Sequence, residues 1–161
     1  MIAFLKGTVW HISEDSLIID VHDVGYKVYV PMAAFPAIPV RGEEITLHTY
    51  MQLREDNCSL FGFTDLEQLN MFHLLLGVNG VGAKMAIAVL NTLSPANIVF
   101  AVQVDDTDTF KSVYGIGKKM AERIVMELKD KCVKLKTSVQ TAPSAVPITA
   151  GGQNQAIAAL T

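Results

Sequence analysis

The sequence predicts an α+β multidomain protein, a small β-barrel over residues 1–63 followed by an all-α domain over residues 64–136. Three observations predict it. β-branched and alternating apolar runs, parted by turn residues, fill the first 63 positions. At Thr64 the apolar spacing switches to that of a helix. Beyond that switch an eight-residue, glycine-punctuated segment occurs twice, 35 residues apart.

Strands are expected at 4–12, 17–21, 26–30, 45–53 and 58–63. Turn-rich pieces separate them, among them Ser13-Glu14-Asp15-Ser16, His22-Asp23-Val24-Gly25 and Val40-Arg41-Gly42-Glu43. Five short strands in so few residues suit a barrel, which removes its edges by closing. The last two flank Arg54-Glu55-Asp56-Asn57, a polar hairpin tip. By itself such a tip reads as a solvated turn.

Thr64-Asp65-Leu66-Glu67 reads as a capping box, with Thr64 accepting from a first-turn amide and Glu67 reaching back. Leu69, Phe72, Leu75 and Leu76 then share one helical face. After a glycine turn, residues 83–93 form a second helix, and Ser94-Pro95 opens a third with Pro at its first position. A second glycine turn precedes a longer helix at 118–135. Residues 137–155 carry no charge and include Pro143, Pro147 and Gly151-Gly152, the composition of a flexible linker. Residues 156–161 read as the opening of a further helix.

Composition narrows the function. Half of the residues are apolar and 18% are charged, enough to fill a core and unlike a disordered chain. No apolar run reaches the ~18 residues of a membrane span, and no basic stretch precedes an apolar run at the start, so a cytoplasmic protein without membrane contact is expected. Cys58 and Cys132 are too far apart for a C-x-x-C motif, and His11, His22, His48 and His73 are scattered, so neither metal nor cofactor is expected.

The net charge of −3 argues against a nucleic-acid partner, but its distribution does not. Residues 1–63 hold 4 basic and 8 acidic side chains, whereas residues 111–136 hold 8 basic and 3 acidic ones. A polyanion responds to the potential at its own contact surface.

The repeated segments are Asn79-Gly80-Val81-Gly82-Ala83-Lys84-Met85-Ala86 and Tyr114-Gly115-Ile116-Gly117-Lys118-Lys119-Met120-Ala121. Glycine permits positive φ and lets a backbone approach a ligand closely. Amides at the start of the following helix suit a phosphate oxygen. Lys84, Lys118 and Lys119 add charge, and Arg123 lies one turn further on. Such contacts grip phosphate and carry no base sequence. A single G-x-G is an ordinary tight turn; two copies, each followed by Lys-Met-Ala, point to a ligand. A dinucleotide is disfavoured, because Met85 and Met120 stand where G-x-G-x-x-G needs its third glycine. No G-x-x-x-x-G-K-[ST] occurs to hold ATP.

These paired turns resemble tandem helix-hairpin-helix motifs. Following a barrel that ends in Arg54-Glu55-Asp56-Asn57-Cys58-Ser59-Leu60-Phe61-Gly62-Phe63, and with Met1-Ile2, Leu5-Lys6-Gly7 and Val24-Gly25-Tyr26 ahead of it, the chain resembles the bacterial RuvA family of Holliday junction branch migration proteins along nearly its whole length. The resemblance implies an OB-fold barrel and a homotetramer, single or doubled into an octamer, that holds a four-way DNA junction open and planar during recombinational repair. It implies DNA-backbone contacts at Asn79, Gly80, Val81, Gly82 and Lys84, and at Gly115, Ile116, Gly117, Lys118, Lys119 and Arg123. Glu55 and Asp56 match that family's acidic pin at the crossover. Carboxylates there would repel any duplex crossing the centre; at ~6 Å and an effective dielectric of ~20, one like-charge pair costs roughly 3 kcal/mol before screening.

The resemblance also implies a separate hexameric ATPase, RuvB, docked through a third domain of which residues 156–161 would be a remnant, and a junction-cutting partner, RuvC. The chain itself shows no nucleophile–base pair and no nucleotide site, so a non-catalytic subunit is expected. Two other readings compete: a helix-hairpin-helix repair enzyme, glycosylase or nuclease, and a protein-interaction module whose glycine turns are only structural.

Overall fold

The computed structural model describes residues 1–140. Strands β1 (Phe4–Ile12), β2 (Ser16–Val21), β3 (Val24–Tyr29), β4 (Glu44–Leu53) and β5 (Cys58–Phe63) close into a barrel in the order β1-β2-β3-β5-β4. The β3–β5 pair is parallel and the others are antiparallel. The chain therefore has the α+β architecture expected, with a closed, OB-like barrel followed by helices. Alternation explains the interior: Leu5, Val9, Leu17, Ile19, Val28, Leu47 and Leu60 turn inward and form one core. A bulge between Val9 and His11 bends β1, so that it pairs with β2 at one end and β4 at the other.

Helices α1 (Leu66–Leu76), α2 (Ala83–Thr92), α3 (Pro95–Gln103), α4 (Thr107–Lys111) and α5 (Lys118–Gln140) follow. Their core is continuous with the outer face of the barrel through Phe72 of α1, which is fully buried. Its ring centroid lies 4.8 Å from that of Phe63, 5.6 Å from Phe61 and 5.5 Å from Tyr50. A 3-10 turn at Met32–Ala34 adds a polar tie, the Ala33 amide donating to Asn91 Oδ1 of α2 at 2.8 Å. Residues Met1–Lys131 accordingly form one compact unit.

Three local expectations are corrected. The α1 cap is Asp65, one residue after Thr64: its carboxylate accepts from the Gln68 amide at 2.8 Å, while the Thr64 hydroxyl accepts from Gln68 Nε2. A carboxylate at a helix N-terminus also gains from the helix dipole, which favours Asp over Thr there. Helix α4 has no counterpart among the expected elements, because it spans five residues and buries only Phe110. It is held by its cap, Asp106, which accepts from the Thr109 amide and hydroxyl. Helix α5 runs to Gln140 rather than 135, since no glycine or proline interrupts it before Pro143. The rest of the expected linker and the expected helix at 156–161 lie outside the described residues.

Candidate nucleic-acid interface

The two glycine segments fold alike, bond for bond. In the first, the Val78 amide donates to the Leu75 carbonyl (3.0 Å), Val81 to Val78 (3.1 Å) and Ala86 to Gly82 (3.0 Å). In the second, Val113 donates to Phe110 (3.1 Å), Ile116 to Val113 (3.1 Å) and Ala121 to Gly117 (2.9 Å). Gly80 and Gly115 take φ of 86° and 87°, a region costly for any residue with a Cβ. The repeat extends into the core, where Val89, Leu90 and Leu93 of the first copy correspond to Ile124, Val125 and Leu128 of the second, all buried.

Each turn thus has an inner and an outer side. Val81 and Ile116 are buried, and their amides close the turn on itself, so these two positions anchor the hairpins rather than presenting donors. The outer side is made by the exposed Gly82 and Gly117 and by the first helical turns behind them. Ala86 and Ala121 are the first residues to donate back to those glycines, so the amides of Ala83, Lys84 and Met85, and of Lys118, Lys119 and Met120, precede the helical ladder. Lys84, Lys118 and Lys119 are exposed beside them. Together they offer an oxyanion N–H donors, a helix dipole and an ammonium group at each of two sites.

Asn79 and Arg123 depart from the local reading. The Asn79 amide is occupied inside the protein, donating to Glu127 Oε2 of α5 at 2.9 Å. Arg123 follows the second turn in sequence but lies beside the first: a Cβ placed on Gly80 would stand 3.7 Å from Arg123 Nη1 and 2.9 Å from Met120 Cε. No feature of the local sequence signals either contact.

Other lysines of the basic segment are engaged elsewhere. Lys111 Nζ donates to Asp108 Oδ1 at 2.7 Å, and this hydrogen bond to the carboxylate holds the ammonium above its ordinary pKa. Lys129 Nζ meets Asp105 at 2.8 Å, and Lys131 Nζ donates to the Leu74 carbonyl at 3.4 Å. The cations left around the turns are Lys84, Lys118, Lys119 and Arg123, for none of which an ion pair occurs among the described residues.

Glu55 and Asp56 form the exposed tip of the β4–β5 hairpin, which the Arg54 amide closes onto the Asn57 carbonyl at 2.7 Å. At its base a polar cleft of about 400 Å³ is lined by Arg54, Asn57 and Tyr29 of the barrel and by Gly82, Lys84 and Met85 of the helices. The tertiary structure therefore brings the root of the acidic tip and the first glycine turn to one cleft. Among the described residues no cluster of three His, Cys, Asp or Glu side chains is arranged to hold a metal ion, and no single helix is long and apolar enough to cross a membrane.

Two parts of the chain match known families. Residues 1–62 match the family model described as the RuvA N terminal domain, and residues 72–130 match that described as a SAM-like helix-hairpin-helix tandem. A protein of Syntrophomonas wolfei is 46% identical over 136 residues, covering 84% of this chain and 68% of its own length. One from Acetivibrio thermocellus is 42% identical over 134 residues (83% and 66%), and one from Acidobacterium capsulatum 42% over 151 residues (94% and 75%). All three are named Holliday junction branch migration complex subunit RuvA. The chain spans about two thirds of the length of the first of these relatives.

Proposed function

This chain belongs to the RuvA family, and from that premise we propose that it binds four-way DNA junctions through their sugar-phosphate backbones, without reading base sequence, as the non-catalytic DNA-binding subunit of a branch migration complex. The observation that carries this reading is the matched pair of glycine turns, each with its first-turn amides and lysines on the outer side. Gly80, Gly82 and Lys84 in one, and Gly115, Gly117, Lys118 and Lys119 in the other, face phosphate. Val81 and Ile116 hold the turns in shape, and Arg123 adds charge at the first.

Each hairpin alone is a weak ligand. Four copies of the chain around one junction bind its connected arms with a high effective concentration. That arrangement explains how a chain of net charge −3 binds a polyanion. In the tetramer the Glu55 and Asp56 tips meet at the crossover, where they repel phosphate and leave the arms to lie on the hairpins. Energy for moving the junction comes from a separate ATPase, RuvB, and strand cutting from RuvC.

The test is a titration of a four-way junction against linear duplex of equal length, at roughly 50 and 200 mM salt. The expected result is a clear junction preference with affinity falling steeply as salt rises. Equal affinity for the two DNAs would overturn structure selectivity, and incision of either would favour a repair enzyme instead.

A further inference from the structure

The stripe Arg123, Glu127 and Lys131 recurs at every fourth residue of α5 and lies along the first hairpin. Arg123 stands beside Gly80, Glu127 accepts from the Asn79 amide at 2.9 Å, and Lys131 donates to the Leu74 carbonyl at the end of α1. The helix of the second hairpin thus clasps the turn of the first. The reverse does not occur. Thirty-five residues earlier the corresponding positions are Ala88, Thr92 and Ala96, none of which carries a charge, and the Thr92 hydroxyl is turned onto its own helix at the Ala88 carbonyl. Among the described residues no carboxylate reaches the amide of Tyr114, the counterpart of Asn79. The pseudo-repeat is therefore symmetric in its backbone turns and asymmetric in this clasp.

The bond is also costly to keep unless it does something. Glu127 places a carboxylate within one helical turn of Arg123, on a surface that must attract phosphate, and like charges there oppose binding. An amide acceptor at a turn could be supplied without charge.

We propose that Glu127 is a positioning residue for DNA binding: by holding the Asn79 amide it fixes the first hairpin's turn against α5, in the register at which both hairpins engage one stretch of phosphate backbone. This rests on backbone binding by the two hairpins. A charged acceptor makes a stronger hydrogen bond to an amide than a neutral one, which suits a turn that must stay fixed while an anion pulls on the neighbouring N–H groups.

The experiment is a pair of double-mutant cycles on four-way junction binding, Glu127→Ala with Lys84→Ala and Glu127→Ala with Lys119→Ala, alongside the near-isosteric Glu127→Gln. Glu127→Ala is expected to weaken binding by roughly tenfold, the scale of one charge-assisted hydrogen bond removed. Its effect should overlap with that of Lys84→Ala, because a displaced first turn already loses that lysine, and should be independent of Lys119→Ala. Glu127→Gln keeps an acceptor oxygen but loses the charge, and its affinity should fall between those of the wild type and Glu127→Ala. A general loss of stability would show no preference for the Lys84→Ala cycle over the Lys119→Ala cycle, and that result would overturn the proposal. So would tighter binding by both Glu127 variants, which would reduce the carboxylate to a repulsive charge. A wild-type chain that binds no junction would overturn the proposed function itself, whereas a wild type that binds with equal coupling in both cycles overturns only the role of Glu127.

Discussion

Arg123 Nη1 lies 3.7 Å from the point that a Cβ on Gly80 would occupy, so the helix that begins at the second glycine turn delivers its guanidinium to the first. The two hairpins are in this sense one surface. A guanidinium placed there can serve two phosphate oxygens, and it acts on charge rather than on base identity.

Arg123→Ala is therefore expected to weaken binding to junctions of unrelated sequence by the same factor. The slope of log affinity against log salt should become shallower by roughly 0.9 for each phosphate that the variant no longer neutralises. Affinity titrations over a salt series on two junction sequences check this. A weakening confined to one sequence would show that Arg123 reads bases.

Gly80→Ala and Gly115→Ala both force a Cβ into the left-handed region, at φ of 86° and 87°. The backbone strain is of order 1–2 kcal/mol for each, or several degrees in melting temperature. Their surroundings differ: a Cβ at Gly80 would meet Met120 Cε at 2.9 Å, whereas one at Gly115 has nothing within 4 Å. Met120 Cε is the free end of a flexible side chain, so Gly80→Ala should melt only slightly lower of the two. Thermal unfolding of both variants measures the difference, and a lower melting temperature for Gly115→Ala would contradict it.

Glu55→Gln combined with Asp56→Asn removes the charge of the β4–β5 tip without shortening it. Among the described residues the tip is exposed and closed by a backbone hydrogen bond alone, so the fold should be unaffected. Linear duplex should bind more tightly, while junction affinity holds or rises. Gel-shift titrations of both DNAs decide; an unchanged junction-to-duplex ratio would remove the pin from the account of selectivity.

Asp106 caps α4, and its hydrogen bonds from the Thr109 hydroxyl and amide hold its carboxyl below the ordinary 3.8. A carboxylate depressed in the folded state favours folding above its unfolded pKa, and that contribution disappears as pH falls through the folded value. Melting temperatures taken from neutral pH downward should show a fall below about pH 4 that is smaller in Asp106→Asn, which can still accept a hydrogen bond but no longer titrates. Identical acid profiles for the two proteins would show that the cap carries no such dependence.

Much of the fold is legible in the sequence because it depends on neighbours along the chain. Alternating apolar residues mark all five strands to within two residues, and the spacing of Phe72, Leu75 and Leu76 marks α1. The α1 cap falls one position beyond the expected Thr64 because Thr64 and Asp65 both carry an acceptor, and only the arrangement of Gln68 decides which is used. The α4 helix is hidden by its length, since five residues show no periodicity.

The surface proposed to meet DNA divides in the same way. Sequence alone determined the twin turns, because positive φ at Gly80 and Gly115, an inward Val81 or Ile116 and a lysine at the helix start are conditions met within eight residues. Tertiary structure decided that Arg123 serves the first turn, that Glu127 takes the Asn79 amide, and that the root of the acidic tip shares a cleft with Lys84. The reason is physical. A turn is specified by local sterics and short hydrogen bonds, whereas the side of α5 that meets α1 is set by burying Ile124, Val125 and Leu128, and the polar residues between them face whatever that packing leaves in front of them.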